Sequence, residues 1–148
     1  MSDTMVLSKI LHIRETEKKH AQKAYQQSLD FFEQTAMELY ELLKKKELAE
    51  VAYEEKMHQT TTLEKLKEQF SYIEKLNAMI MVLQEDVQRA RMEMETKQSE
   101  LNNAHIEMKK FEKLIENRRN EKIEAIKKNE KAMMDEVAIH QFLNRKIR

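Results

Sequence analysis

The sequence predicts an all-α protein: a long antiparallel two-helix coiled-coil hairpin, an elongated rod with no globular core. First, its 148 residues include no Gly, Pro, Cys or Trp. Average usage would give roughly 18 Gly and Pro residues, and turn-rich β folds depend on them. Second, 36% of the residues are charged and only 6% are aromatic, as in long helices and coiled coils. Third, apolar residues in the second half recur every seven residues, which is the coiled-coil repeat.

The first helix is expected from about residue 5 to about residue 58. Its apolar residues are spaced less regularly than those of the second half. One set follows a seven-residue phase with polar gaps: Ile10, Ala21, Ala24, Phe31, Leu42, Ala49 and Ala52. Another set fits a slightly longer period: Phe32, Ala36, Leu39 and Leu43. Both spacings indicate an amphipathic helix.

A turn is expected at about residues 59–62, within the run Thr60-Thr61-Thr62. Thr61 followed by Glu64 fits a capping box, and β-branched threonines disfavour a continuous helix. A fold at residue 60 would place residue i opposite roughly residue 120 − i, as in an αα-hairpin. The alternative is one uninterrupted helix through the threonines.

The second helix is expected at about residues 63–143 and carries the strongest pattern. Steps of three and four residues select Ile73, Leu76, Ile80, Leu83, Val87, Ala90, Met94, Lys97, Leu101, Ala104, Met108, Phe111 and Ile115. Lys97 is the one polar member, and its methylene stem can lie along a seam. After Ile115 the phase shifts by one four-residue step to Ile123, Ile126, Met133 and Val137, with Phe142 and Leu143 beyond. Such a stutter predicts a change of partner or packing.

Charge is unevenly distributed although the chain is neutral. Residues 1–23 carry five basic and three acidic side chains, residues 24–108 carry ten and seventeen, and residues 109–148 carry twelve and seven. In a hairpin, the end with both termini would be basic and the half near the turn acidic. This difference either marks a docking end steered by charge or is an ordinary solvated surface.

Apolar residues are also dense at 76–83. Four of them on the second helix have the spacing i, i+4, i+7, i+11: Tyr72, Leu76, Met79 and Leu83. This spacing predicts a stripe beside the seam that is partly open to solvent, and such a stripe usually marks a partner. A locally thicker core is the alternative.

No pattern of residues indicates an enzyme, a metal site, a cofactor or a small-molecule site. The five histidines are isolated along the chain, and phosphate-binding Gly loops are excluded. A nucleic-acid-binding protein would carry a strongly basic face. The longest apolar run, Ala78–Leu83, is far shorter than a bilayer span, and no signal peptide is apparent, so a cytoplasmic protein is expected.

Three segments resemble the FliJ family. They are the opening stretch from Leu7 through Glu17 to Tyr25, the Lys109–Leu114 stretch with Arg118-Arg119, and the stretch from Glu130 through Met134-Asp135-Glu136-Val137-Ala138 to Phe142. FliJ proteins are soluble components of the bacterial flagellar type III export apparatus. Their fold is an antiparallel two-helix coiled coil, similar to the gamma stalk subunit of rotary ATPases.

The resemblance implies partners and a location. The open end of the hairpin would insert into the hexameric flagellar export ATPase and promote its assembly and activity. The surface nearer the bend would contact the linker of the membrane export-gate protein, and empty export chaperones are further partners. The protein would act as a monomeric hairpin in the cytoplasm, peripherally associated with the membrane at the flagellar base.

Site residues follow from the resemblance position by position. The residues expected to bind the ATPase ring are Ile10, Ile13, Arg14, Arg118, Arg119, Met133, Met134, Asp135 and Phe142. The residues expected to bind the export gate are Tyr40, Tyr72, Leu76, Met79 and Leu83. Three alternatives stay open: the stalk of a virulence type III injectisome, a structural dimeric coiled coil, and a cargo-holding export chaperone.

Overall fold

The computed structural model describes the backbone of residues 2–147 and the side chains of residues 3–146. Within that range the chain forms two α-helices, α1 (Ser2–Met57) and α2 (Leu63–Ile147), and no strand. The helices pack against each other, which confirms the predicted all-α hairpin. Both extend a few residues further toward the termini than the expected 5–58 and 63–143.

The helix α1 ends without a left-handed residue, and the chain has no Gly, the residue that adopts this conformation most readily. Its last turn tightens to i−3 hydrogen bonds: His58 N donates to the Glu55 carbonyl at 3.3 Å and Gln59 N to the Lys56 carbonyl at 3.2 Å. No described residue has a positive φ. The 3₁₀-type bonds therefore satisfy carbonyls that a Gly cap would otherwise satisfy.

The helix α2 begins with Thr62 as its N-cap. The Thr62 hydroxyl accepts a hydrogen bond from Lys65 N at 3.4 Å, and the Thr62 carbonyl accepts the bond from Leu66 N at 3.3 Å. The expected capping box of Thr61 with Glu64 is wrong by one residue. Since Lys65 occupies the third helical position, the reciprocal carboxylate of a capping box is missing there.

The two helices are antiparallel, as contacts in different parts of the chain show. Asp3 pairs with Arg118, the Arg14 guanidinium lies 5.6 Å from the Phe111 ring centre, and the Tyr53 and Phe70 rings are 6.3 Å apart. In all three contacts residue i faces roughly residue 123 − i, within a few residues of the expected pairing.

The seam predicted on α2 is confirmed. Every position predicted from Ile73 to Ile115 is buried or half-buried, and the half-buried set includes Lys97. The deepest positions on α2 are Ile73, Leu76, Ile80, Ala90, Met108 and Ile115. No described side chain is completely buried, because two helices cannot enclose a residue on every side.

On α1, nine of the eleven apolar residues expected on the buried side are buried or half-buried, and two are exposed. The central row of the α1 seam recurs in steps of four and three, with Ile10, Ala24, Ala36 and Ala52 half-buried beside it. This row consists of Leu7, Leu11, Arg14, Lys18, Ala21, Tyr25, Ser28, Phe32, Thr35, Leu39, Leu42, Lys46, Ala49, Tyr53 and Lys56. Phe31 and Leu43, which were expected on the seam, are 59% and 41% exposed. The prediction was wrong there because several seam positions hold polar or charged residues whose aliphatic parts pack inward.

The contacts divide the chain into two units. One unit consists of residues 1–18 and 104–148, and the other of residues 19–103. In the second unit the core groups Ala49, Ile73 and Leu76, with Leu42 and Tyr53 against them. In the first unit Met108 and Ile115 are buried. The expectation that residues 1–148 form a single domain stays a prediction.

Candidate protein-binding surfaces

The first candidate surface is the C-terminal part of α2, residues 121–146, which we call the overhang. Every residue of the overhang is exposed. Because α1 begins at Ser2 and residue i faces roughly residue 123 − i, α1 reaches only the first residues of the overhang. The exposed apolar side chains are Ile123, Ile126, Met133, Met134, Val137, Ile139, Phe142 and Leu143.

Polar contacts mark the start of the overhang. Arg118 Nη1 donates to Asp3 Oδ2 at 2.9 Å, and Lys122 Nζ donates to Thr4 Oγ1 at 3.5 Å. These two basic residues occupy the old seam phase, so the seam ends in polar pairs beside the first residues of α1. The predicted phase shift after Ile115 therefore coincides with the loss of the α1 partner.

The residues expected at the ATPase end are not equally available. Ile13, Met133, Met134 and Phe142 are 54–76% exposed, and Arg119 and Asp135 are also exposed. The others contribute to hairpin packing or pairing: Ile10 and Arg14 are half-buried and Arg118 is paired with Asp3.

Arg14 belongs to the seam more than to the surface. Its Nη1 lies 3.0 Å from Glu17 Oε2, its guanidinium lies over the Phe111 ring, and its Nε is buried without a hydrogen-bond partner. A partner could bind Arg14 only by disturbing these contacts.

The residues expected at the export gate are divided by burial. Tyr40, Tyr72 and Met79 are 61%, 48% and 53% exposed, but Leu76 is only 3% exposed and Leu83 is half-buried. The expectation that Leu76 forms part of an open stripe is wrong, because it points into the seam beside Ile73 and Ala49. The open part of the stripe consists of Tyr72 and Met79.

The second candidate surface is a groove along one face of the second unit. Three adjoining depressions form it and share lining residues: Glu38, Leu83 and Asp86 are common to the first two, and Phe31, Ala90 and Glu93 to the second and third. The widest depression has a volume of about 580 Å³ and is floored by Leu42, Ala78, Met79, Val82 and Leu83. Tyr40 does not line it.

Small side chains explain why the groove exists. The seam beneath the second and third depressions includes Ser28, Thr35 and Ala90. The Thr35 hydroxyl is satisfied inside its own helix, since it donates to the Phe31 carbonyl at 2.8 Å. Short side chains leave room beside the seam that larger residues would fill.

Acidic side chains border the groove. Among them, Asp86 lies 3.6 Å from Arg89, which also approaches Glu85 at 3.9 Å. Lys97, at the narrow end, lies 3.4 Å from Glu100. Three groove carboxylates, those of Glu38, Glu41 and Glu93, form no ion pair with any side chain of residues 3–146, and neither does Lys45, which lines the widest depression. The unpaired charges of the groove are therefore three negative and one positive.

The sequence analysis did not identify the groove. Its apolar floor was visible at residues 76–83, but the acidic border comes from both helices and depends on the phase of α1. The short side chains of Ala24, Ser28 and Thr35, followed by Glu38 and Glu41, would have been the signal. The phase error at Phe31 concealed it.

The described residues contain no group of three His, Asp or Glu side chains that could hold a metal ion. No helix in the described part of the chain is long and apolar enough to cross a bilayer.

The comparisons with known proteins agree with these features. The model of the family described as "Flagellar FliJ protein" matches residues 3–146, nearly the whole chain. The chain belongs to the FliJ family. It is 34% identical over 135 residues to the "Flagellar FliJ protein" of Bacillus subtilis (strain 168), an alignment that covers 91% of this chain and 92% of that protein. No solved structure matches the chain.

The FliJ match confirms the resemblance that the three sequence segments indicated. It covers nearly all of both helices and the whole overhang, so the groove and the overhang are both parts of the matched FliJ region. It identifies a flagellar protein family rather than the partner of either surface.

Proposed function

We propose that this protein is a non-enzymatic component of the bacterial flagellar type III export apparatus, acting as a stalk between the export ATPase and the membrane export gate. Membership of the FliJ family over residues 3–146 is the observation that carries this proposal. The hairpin adds support, since an exposed helix with no partner in its own chain offers a surface for another protein.

The overhang is the proposed contact with the hexameric ATPase. Met133, Met134 and Phe142 present flexible or aromatic apolar surface, and Met side chains adapt to different neighbours. Arg119 and Asp135 supply charges on the same helix. Insertion of this end into the ring would promote ring assembly and ATP hydrolysis through shallow apolar contacts that can be exchanged between ring positions.

The proposed contact with the export gate uses Tyr72 and Met79, the open part of the predicted stripe, with Tyr40 as a separate position. Leu83 contributes from the edge of the groove, whereas Leu76 supports the stripe from beneath. Empty export chaperones remain proposed partners. The protein would work in the cytoplasm at the membrane face of the flagellar base.

The hairpin and the family bear on the alternatives. In an unbent dimeric coiled coil the seam of α1 would be covered by another chain, whereas here α2 of the same chain covers it. Family membership favours the flagellar system over the virulence injectisome. A cargo-holding chaperone is the remaining competitor, and it would bind exported subunits without activating the ATPase.

The decisive experiment measures ATP hydrolysis by the purified export ATPase of the same organism with increasing amounts of this protein. The full chain is expected to raise the rate and the fraction of hexamer, and the double variant Met133→Ser, Met134→Ser to lose most of that effect. The control Met81→Ser, Met92→Ser replaces methionines that are 69% and 60% exposed outside the overhang. The ATPase role would be refuted if both double variants stimulated ATP hydrolysis equally, or if the full chain did not stimulate it.

The gate contact is tested separately by the binding of a purified export-gate cytoplasmic fragment. Tyr72→Ser with Met79→Ser is expected to weaken binding about tenfold or more, because two exposed anchors lose their apolar contact. The overhang variant serves as the control and should bind the gate fragment normally. Identical binding of the stripe variant and the parent chain would contradict the assignment.

A further inference from the structure

We propose that residues 3–18 of α1, which we call the arm, detach from α2 as one cooperative segment while the helices of the second unit stay paired. The arm and the part of α2 that it covers both belong to the first unit, residues 1–18 and 104–148. The burial, the charges and the polar contacts of the arm lead to this proposal.

The arm buries little apolar surface. None of its side chains is buried, and its half-buried apolar residues are Leu7, Ile10 and Leu11. The deepest residues of the first unit, Met108 and Ile115, lie on α2 instead. A depression of about 370 Å³ lies between the arm and α2 beside Leu11 and Ile115, so the arm leaves space unfilled there. Segments with few buried apolar contacts open at a low free energy.

The inner edge of the arm is charged. Arg14 and Lys18 occupy two consecutive seam positions, and no other two consecutive positions of the described α1 seam are both charged. Their like charges, one helical turn apart, disfavour the helix. Arg14 pairs with Glu17 of its own helix and approaches α2 through the face of the Phe111 ring. The boundary of the first unit falls after Lys18 on α1 and before Ala104, a short seam residue, on α2.

Polar contacts open to solvent hold the outer end of the arm. Asp3 accepts a hydrogen bond from Arg118 at 2.9 Å, and Thr4 accepts one from Lys122 at 3.5 Å. Exposed pairs of this kind contribute little to stability, because water and salt screen them. They therefore do not compensate for the small apolar contact of the arm.

The order of these contacts predicts that the arm opens as a whole. Its half-buried apolar residues are concentrated at positions 7–11. Once these contacts are lost, Arg14 and Lys18 hold the remaining seam positions before Ala21, and their charged ends are better hydrated when the arm is free. A free segment of this length is barely helical in water, so the arm would also unfold. Opening should therefore continue to the boundary of the first unit rather than stop after one or two turns.

Opening would change the surface that α2 presents. It would uncover Met108, Phe111 and Ile115, which lie on the same helix as the overhang. In the closed state the arm is thus an autoinhibitory cover on this part of α2. If the proposed function holds, the ATPase ring would compete with the arm for these side chains. The opening itself does not rest on that function, and its test uses this chain alone.

A single introduced thiol can report the opening, because the chain has no Cys. Ile115→Cys and Ile80→Cys place the same substitution at positions that are 7% and 5% exposed, one in the first unit and one in the second. The labelling rate of each thiol is divided by its rate in the urea-unfolded chain, and this ratio reports how often the site opens when closing is faster than labelling. Ile115→Cys is expected to label about tenfold faster than Ile80→Cys, or more.

Met108→Cys tests the extent of the opening. Residue 108 is 7% exposed and lies near the inner edge of the arm, since residue i faces roughly residue 123 − i. Because the arm opens as one segment, Met108→Cys should label within about threefold of Ile115→Cys. Fraying of the outer turns alone would instead leave Met108→Cys as slow as Ile80→Cys.

Filling the inner edge of the seam tests the cause. Arg14→Leu with Lys18→Leu, added to Ile115→Cys at low protein concentration, should slow labelling about tenfold or more because two half-buried positions gain apolar contact. The control Lys9→Leu with Lys19→Leu removes the same charge at exposed positions and should leave the labelling rate unchanged.

Three results would overturn the proposal: equal labelling ratios for Ile115→Cys and Ile80→Cys, a Met108→Cys ratio equal to that of Ile80→Cys, or no slowing by the leucine pair beyond its control. Hydrogen–deuterium exchange of the unsubstituted chain decides if a Cys variant loses helicity. The amides of residues 3–18 should exchange together and faster than those of residues 31–50. Similar exchange of the two segments would also contradict the proposal.

Discussion

Replacing Leu76 by Ala tests whether this residue is core or docking surface. Leu76 lies only three residues before Met79 and was predicted to share its stripe, yet it is 3% exposed whereas Met79 is 53% exposed. The matched substitution Met79→Ala removes a side chain of similar size from the same stretch of helix. The comparison therefore separates burial from sequence position.

The expected magnitudes follow from burial. Leu→Ala removes three carbon atoms, worth about 2.4 kcal/mol at roughly 0.8 kcal/mol per buried CH₂. A cavity beside Ile73 and Ala49 adds to this, although the solvent-accessible edge of a two-helix seam limits it, so the total is about 3 kcal/mol. Met79→Ala loses contacts on about half of its side chain and should cost about 1 kcal/mol.

Urea and thermal unfolding followed by circular dichroism at a fixed low protein concentration measure the difference. For a chain of this length the Leu76 variant should melt roughly 6–12 °C lower, and the Met79 variant roughly 2–4 °C lower. The Leu76 variant should bind the export gate as the parent chain does, at temperatures where it is folded. Equal destabilisation by the two substitutions, or a Leu76 effect below about 0.5 kcal/mol, would refute the seam assignment.

Three further substitutions test other details. Thr62→Ala should lower the free energy of unfolding in urea by about 1 kcal/mol because it removes the N-cap, and Thr61→Ala should lower it by less than half as much. A larger loss for Thr61→Ala than for Thr62→Ala would support the capping box predicted from the sequence. Lys97→Leu should increase the free energy of unfolding by about 1 kcal/mol and so raise the urea midpoint, because a half-buried seam position gains apolar surface. A lower midpoint would contradict the place of residue 97 in the seam. The exposed pair of Arg118 with Asp3 should show a coupling below about 1 kcal/mol in a double-mutant cycle, falling further in high salt; a larger, salt-insensitive coupling would mean that the pair is shielded from solvent.

The predictability of the fold differs between the two helices. On α2 the apolar residues occupy nearly every seam position, so the heptad spacing alone located the seam from Ile73 to Ile115. On α1 the seam includes Arg14, Lys18 and Lys46, whose charged ends reach solvent while their stems pack inward. Hydrophobic spacing cannot detect such positions, so it selected both Phe31 and Phe32 and did not decide that only Phe32 lies on the seam.

The candidate sites show the same limit. The overhang could be anticipated, because the phase shift after Ile115 and the unequal helix lengths are both visible in the sequence. Leu76 and Leu83 were predicted both in the seam and in the stripe, and the spacing along one helix does not decide which of these two places a residue takes. Only the pairing of the two helices distinguishes them.

By itself, the sequence determined the helical class, the single reversal near the threonines, the seam of α2 and the family. These properties depend on composition and on spacing along one helix, and both can be read directly from the chain. The tertiary structure decided the phase of α1, the cap at Thr62, the exclusion of Leu76 from the open stripe, and the groove with its acidic border. Each of these depends on which side chains of two separate helices become neighbours, and that information is absent from the spacing within either helix.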